Sequence, residues 1–325
     1  MVLVLSLLCL VLFTGCPATS PEGLDAGSLQ QSGAKRLKVV ATTSMVADMV
    51  RHVAGDYADV TGLMGEGVDP HLYRPTSRDL GLMIQSDILF YSGLGLEGAM
   101  QPAFQRVEKQ GRVVVPITRS IPPEKLIHAD QTAGHPDPHV WNDAALWAEC
   151  LPEVVSVLSK ADPEHADEFQ TNADEYRRLL LQLDAYARES ISTIPEESRY
   201  LVTAHDAFAY FARAYGIQER AVQGISTESE PGVQDINLLV DFLVTHRIPA
   251  IFVEATVNSA HLQAVIEGAA QRGWMVKEGG TLYSDSTGNP GTYVGSYQGM
   301  FDHNVTTITR ALGGKAPEKG LNGKL

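Results

Sequence analysis

Residues 163–194 read PEHADEFQTNADEYRRLLLQLDAYARESISTI, and after Pro163 no Gly or Pro interrupts them. Apolar side chains recur at Ala166, Phe169, Ala173, Tyr176, Leu179, Leu180, Leu183, Tyr186, Ala187 and Ile191, nearly always three or four positions apart. That spacing puts them on one face of a single amphipathic helix. Asp162 can cap it, and Pro163 suits its first position because the missing N–H would be unsatisfied there anyway. At a rise of 1.5 Å per residue, a helix over 163–194 extends about 48 Å. This exceeds the width of one small domain, so the helix is expected to run along two lobes.

The flanking segments agree. Upstream, the short apolar runs Leu37–Ser44, Val60–Met64, Ile88–Ser92 and Val113–Ile117 alternate with helical patterns such as Met45, Val46, Met49, Val50 and Val53. Downstream, strands are expected at Arg199–Ala204, Ala250–Glu254 and Trp274–Val276. Helices are expected at Asp206–Tyr215, Asn237–His246, Ser259–Arg272 and Tyr293–Leu312. Short buried-type strands alternating with helices indicate an α/β fold with mostly parallel sheets. The expected organisation is an N-terminal lobe over 37–162, the long helix over 163–194, a similar C-terminal lobe over 195–314 and a tail over 315–325.

Residues 1–36 read differently. Met1–Phe13 carry no charge. The run is too short to span a membrane, which takes roughly 20 apolar residues, but it fits the core of a secretory signal. Thr14-Gly15-Cys16 resembles the end of a bacterial lipobox, so residues 1–16 are expected to be a lipoprotein signal with Cys16 as the acylated anchor. Phe13 stands where that motif usually has Leu. Residues 17–36, rich in Pro, Gly, Ser, Ala and Gln, read as a flexible tether.

Composition narrows the function. The 325 residues hold 25 Lys plus Arg against 39 Asp plus Glu, a formal net charge of -14. Nucleic acid is excluded as a partner because phosphate recognition needs a basic face; a cation is a compatible ligand. The cysteines are Cys9, Cys16 and Cys150. Only Cys150 lies beyond the leader, so no disulfide framework is available, and its apolar setting marks a buried thiol.

Ten histidines are present. His52, His165, His246, His261 and His303 fall in helical stretches among polar neighbours and read as surface or satisfied positions. His128 and His135 lie in a polar loop with Asp130 and Asp137. The remaining three have a distinct setting: His71 follows Asp69-Pro70, His139 follows Asp137-Pro138, and His205 ends a strand. Ligands of open α/β sheets gather at loops beyond the strands' carboxyl ends, and proline before a histidine limits the backbone freedom lost on binding. Asp285, in a polar turn, is the fourth candidate. The four are scattered and form no compact motif such as His-Glu-x-x-His. From spacing alone, three loop or strand-end histidines and a turn aspartate remain an equal reading.

From Leu37 to Gly313 the chain resembles the cluster A-I, or TroA-like, metal-binding proteins of bacterial ABC importers. The resemblance is carried by Gly67-Val68-Asp69-Pro70-His71, Asp137-Pro138-His139-Val140-Trp141, Thr203-Ala204-His205-Asp206-Ala207-Phe208, Gly224-Ile225-Ser226-Thr227-Glu228-Ser229-Glu230-Pro231, Ile251-Phe252-Val253-Glu254 and Tyr283-Ser284-Asp285. It implies two α/β lobes joined by a rigid helix, with one Zn²⁺ or Mn²⁺ held in the interlobe cleft by His71, His139, His205 and Asp285. Glu228, Glu230 and Glu254 would be structural or would support the ligating imidazoles, whose second ring nitrogens need partners. It further implies a monomer, lipid-anchored outside the cytoplasmic membrane, that delivers the ion to a permease and its ATPase. Some manganese-preferring members place Glu where His205 stands, and the long His-rich loop of many zinc-specific members is missing here. Three imidazoles and one carboxylate suit Zn²⁺; a bidentate Asp285 would admit Mn²⁺. Two rival classes are a zinc hydrolase and a surface adhesin. Against the first, catalytic zinc normally keeps one position open to water, and no motif places a general base. Against the second, there is no adhesive repeat.

Overall fold

The computed structural model describes residues 36–128 and 134–325. The expected signal, Cys16 and nearly all of the tether, together with Asp130, lie outside the described residues.

The first lobe is built on a parallel sheet of β1 (Leu37–Ala41), β2 (Ala58–Gly62), β3 (Ile88–Tyr91) and β4 (Val113–Pro116), ordered β2-β1-β3-β4. Val39 pairs with Val60 on one side and Ile88 on the other. Alternating side chains serve two faces. Val39 and Ala41 pack with Met45, Met49 and Val53 of α1 (Ser44–Ala54). Val40 and Leu89 pack with Met83 of α2 (Ser77–Gln85) and Phe104 of α3 (Gln101–Lys109). Both faces are covered along most of the central strands β1 and β3, which is why these read as continuous apolar runs. Thr43 caps α1, its Oγ1 accepting from Val46 N, and Gly55 ends the helix at φ 53°. The short α4 (Ala144–Trp147) and α5 (Leu151–Ala161) complete the lobe.

The long helix, α6, spans Ala166–Ser192, 27 residues or about 40 Å. It is shorter than expected because Pro163–His165 form a separate 3-10 turn. Asp162 makes no capping bond to the backbone; its Oδ2 instead lies 2.7 Å from His165 Nδ1. The two halves of α6 are tied to different lobes. Tyr176 donates to Asp48 Oδ2 in α1 (2.7 Å), and Asn172 Nδ2 to Val53 O. Tyr186 shares a 2.7 Å hydrogen bond with Thr306 on the last helix.

The second lobe holds two parallel strand pairs, β5 (Tyr200–His205) with β6 (Gln218–Gln223) and β7 (Ala250–Glu254) with β8 (Lys277–Leu282). β5 lies beside β7, so the order β6-β5-β7-β8 repeats the permutation of the first lobe. The helices are α7 (Ala209–Tyr215), α8 (Val233–His246), α9 (Ala260–Gln271) and α10 (Tyr297–Ala311). The last strand is not Trp274–Val276, as expected, but the Gly-containing stretch after it. A Cβ at Gly279 would stand 2.6 Å from the Phe252 ring, so β8 dispenses with a side chain to let Phe252 pack. Trp274 precedes the strand and donates through Nε1 to Ile248 O. α7 starts at Ala209 rather than Asp206, with Glu219 Oε1 accepting Phe208 N in the preceding turn.

One of the apolar clusters is shared by the two lobes. Met45 and Met49, the buried face of α6, and Phe208, Phe211, Met300 and Phe301 belong to a single apolar cluster. Trp147 stacks on Tyr297, which stacks on Phe301. A continuous core of this kind disfavours free hinge motion, since packed interiors transmit displacement rather than absorb it.

Candidate metal centre

The two Asp-Pro-His segments use the same local device. Asp69 Oδ1 accepts His71 N at 2.8 Å, and Asp137 Oδ1 accepts His139 N at 2.9 Å. Proline has no N–H, so the first donor each aspartate meets beyond its own residue is the histidine two positions on. Each histidine is thereby set by its own loop, one after β2 and one before α4. His205 closes β5, and beside it Glu254 closes β7. Glu254 Oε1 accepts Ala204 N and His205 N, at 2.7 and 2.9 Å, in the gap between the two strand pairs. Asp285 follows β8, with the preceding carbonyl of Ser284 held by Trp141 Nε1.

The structure brings His71, His139, His205 and Asp285 together: one ligand atom from each lies within 4.8 Å of all the others. His71 Nε2 is 3.2 Å from His139 Nε2 and 3.7 Å from Asp285 Oδ2. His139 Nε2 is 3.5 Å from Asp285 Oδ1, and His205 Nε2 is 3.2 Å from Asp285 Oδ2. Donors placed tetrahedrally 2.0–2.1 Å from a zinc ion stand about 3.3 Å apart. All four side chains are buried, and both carboxylate oxygens of Asp285, like His205 Nε2, have no hydrogen-bond partner within the protein. Buried polar atoms are normally satisfied, and here the unsatisfied ones converge on one point. The group can hold a divalent cation.

The opposite ring nitrogens face carboxylates. His139 Nδ1 is 2.8 Å from Asp137 Oδ1, and His205 Nδ1 is 2.5 Å from Glu254 Oε2. Such partners fix tautomer and ring orientation. At His71, His205 and Asp285 burial opposes charge, yet the outcomes differ. For His71 burial dominates, pushing the pKa down to about 3. For His205 burial also presses downward, but the charges of Glu254 and Asp285 outweigh it and the pKa is raised well above the ordinary value. For Asp285 burial pushes upward and is overcome by His205 and His139, leaving the carboxyl strongly acidic.

Of the three glutamates singled out in the sequence, Glu254 meets His205. Glu230 does not reach the cluster; it is exposed and pairs with His261 of α9 at 2.7 Å. Glu228 is exposed and lines, with His71, Leu94, His135 and Ile225, a cavity of about 760 Å³ at the mouth of the cleft. His128 bridges to Pro136 instead of joining the cluster. Cys150 is buried and its thiol pKa is raised by that burial. Asp69, Asp137 and Thr227 were present in the quoted motifs, but only the folded contacts reveal what each does.

Fold and donor set together place the chain in the class of two-lobed, helix-spanned metal-binding proteins. It belongs to the family described as "Zinc-uptake complex component A periplasmic", whose model matches residues 39–311. Among its relatives, the manganese-binding lipoprotein MntA of Bacillus subtilis is 45% identical over 290 residues, 89% of this chain and 94% of that one. The zinc-binding protein TroA of Treponema pallidum is 39% identical over 274 residues, 84% and 88% of the two chains. The solved structure of the Treponema pallidum periplasmic zinc-binding protein superposes with a TM-score of 0.82, covering 85% of this chain and 99% of that one at 39% identity.

Proposed function

We propose that this protein is the extracytoplasmic binding component of an ABC importer, capturing one Zn²⁺ or Mn²⁺ on His71, His139, His205 and Asp285 for delivery to a permease. The observation that carries this reading is the convergence of four buried donors from both lobes, with both oxygens of Asp285 facing the imidazoles and making no hydrogen bond. Membership of the zinc-uptake family supports it. Four protein donors leave a zinc ion no open position, which suits carriage better than the activation of water in a hydrolase. Two relatives at comparable identity are named for different metals, manganese and zinc. The donor chemistry accommodates either: imidazole suits Zn²⁺, and a carboxylate free to chelate through both oxygens suits Mn²⁺. Cys16 is the proposed lipid anchor, and no helix among the described residues is long and apolar enough to cross a membrane. Native mass spectrometry before and after a chelator wash tests the site. One ion per chain, lost in the quadruple alanine variant of the four residues, is the expected result; an unchanged metal content in that variant overturns the assignment. Loss of membrane association in Cys16→Ala tests the anchor.

A further inference from the structure

Of the four clustered side chains, only His71 borders the open cavity at the cleft mouth. It is 7% exposed, while His139 and His205 are fully enclosed and Asp285 is 2% exposed. His71 thus stands between the cluster and the open cavity, and its position is set by the loop from Gly65 to His71. No helix or strand stiffens this loop, and Gly67 turns it at φ 70°. Its aspartate is engaged twice: while Asp69 Oδ1 accepts the His71 N–H, Asp69 Oδ2 accepts from Thr227 Oγ1 of the opposite lobe at 2.6 Å. Thr227 is itself held. Gln223 Nε2 donates to Thr227 O at 2.9 Å and to Ser229 O at 2.8 Å, and Gln223 is the strand partner of His205. A continuous path thus joins His205 in one lobe to His71 in the other through Gln223, Thr227 and Asp69.

We infer that Thr227 is a positioning residue for metal retention: its hydrogen bond to Asp69 latches the His71 loop across the cleft mouth, and opening of this bond gates release of the ion. The inference rests on His71 being a metal ligand. The bond carries information in both directions. Displacement of the Thr227 segment withdraws the hydroxyl and frees the His71 loop, and an ion that draws His71 inward holds Asp69 within reach of Thr227. The hydroxyl is the only part of Thr227 the latch needs, so an isosteric apolar residue separates latch from packing.

The test is stopped-flow release of Zn²⁺ into excess chelator from wild type, Thr227→Val, Thr227→Ala and Thr227→Ser. A hydrogen bond to a carboxylate is among the stronger kinds in proteins. Release from Thr227→Val and Thr227→Ala is expected to be about tenfold faster, equivalent to ~1.4 kcal/mol, with the association rate unchanged, and Thr227→Ser is expected to restore slow release. Equal release rates in wild type and Thr227→Val overturn the latch, as does a lowered melting temperature of the chelated variant with unaltered release. Failure of the wild type itself to take up Zn²⁺ would instead overturn the reading of the site.

Discussion

Glu254 holds His205 at two points: one carboxylate oxygen accepts the His205 backbone N–H at 2.9 Å, and the other lies 2.5 Å from its Nδ1. Backbone and ring are thereby set by one side chain from the neighbouring strand. Because Oε1 also accepts Ala204 N, Glu254 stitches β7 to β5 at the point where the two strand pairs meet. The same residue that joins the two strand pairs orients the imidazole toward Asp285.

Glu254→Gln is predicted to separate these roles. The amide oxygen still accepts the two backbone N–H groups, so the chelated protein should fold. The charge opposite Nδ1 is lost, and metal affinity should fall by about 10–100-fold, the usual cost of removing such a partner. Competition titration against a chelator measures this; an affinity within twofold of wild type would show that Glu254 serves the sheet alone.

Proton release should reveal the unequal histidines. In the metal-free protein near neutral pH, His71 is already neutral because burial holds its pKa near 3, whereas His205 keeps its proton between Glu254 and Asp285. A ligating imidazole must be neutral, so the ion has to displace the His205 proton. About one proton should be released from His205 per ion, and the affinity should fall about tenfold per unit as pH drops from a point above the ordinary imidazole value of 6.5. The stability effects oppose each other. The raised His205 stabilises the metal-free fold fully below about pH 6.5, and that contribution is lost as pH rises through its folded value. The depressed His71 destabilises it as pH falls from about 6.5 toward 3. Calorimetric titration in buffers of different ionisation enthalpy counts the protons; none released would contradict the assigned charge on His205.

A third prediction concerns two carboxyl groups beyond the cluster. Asp206 and Glu219 share a hydrogen bond, and both pKa values are raised, first by burial and for Glu219 next by the charge of Asp206. A carboxyl whose folded pKa exceeds the unfolded one stabilises the fold below about 4.5, and that contribution is lost as pH rises through the folded value. Glu219→Gln keeps an acceptor for Phe208 N and removes the repulsion. The metal-free variant should melt higher than wild type at pH 8, by about 2 °C for each kcal/mol recovered, with the difference shrinking at pH 4.5. A variant that melts lower at pH 8 would show that the carboxylate has a partner it needs.

How much of this was legible before folding depends on the signal each residue left. The long stripe from Phe169 to Ile191 marked α6 because a helix with one buried face cannot hide its period. That its first turn is 3-10, beside the Asp162–His165 side-chain contact, leaves no mark in periodicity. β8 was displaced because a strand that admits the Phe252 ring carries Gly279 in place of an apolar side chain, so the apolar Trp274–Val276 run drew attention instead. In the site, the Asp-Pro-His repeats point to the loops and Thr227 stands within a quoted motif, but its contact leaves no signal in the sequence, since its partner Asp69 is 158 positions away. Of the two readings open for Glu230, support of an imidazole ligand or a structural part, the surface pair with His261 fits the second.

Metal choice is most directly tested at His205. His205→Glu replaces a borderline nitrogen donor by a harder oxygen donor, so the Zn²⁺/Mn²⁺ affinity ratio should fall, with Zn²⁺ still the tighter in absolute terms. The surroundings sharpen the expectation. Glu254 Oε2 now lies 2.5 Å from the His205 ring and Asp285 Oδ2 lies 3.2 Å from it, so a third carboxylate would enter a buried space that already holds two. Like charges in such a site cannot all stay ionised without a cation. The chelated variant should therefore melt lower than chelated wild type, and its gain in melting temperature on adding Mn²⁺ should be larger. His205→Ala removes a donor without adding charge and should weaken both metals. Competition titration of Zn²⁺ and Mn²⁺ against wild type and the two variants, with melting curves of each chelated and loaded form, decides the matter. An unchanged ratio in His205→Glu together with unchanged affinities in His205→Ala would remove His205 from the ligand set, leaving Asp285 as the second lobe's sole donor.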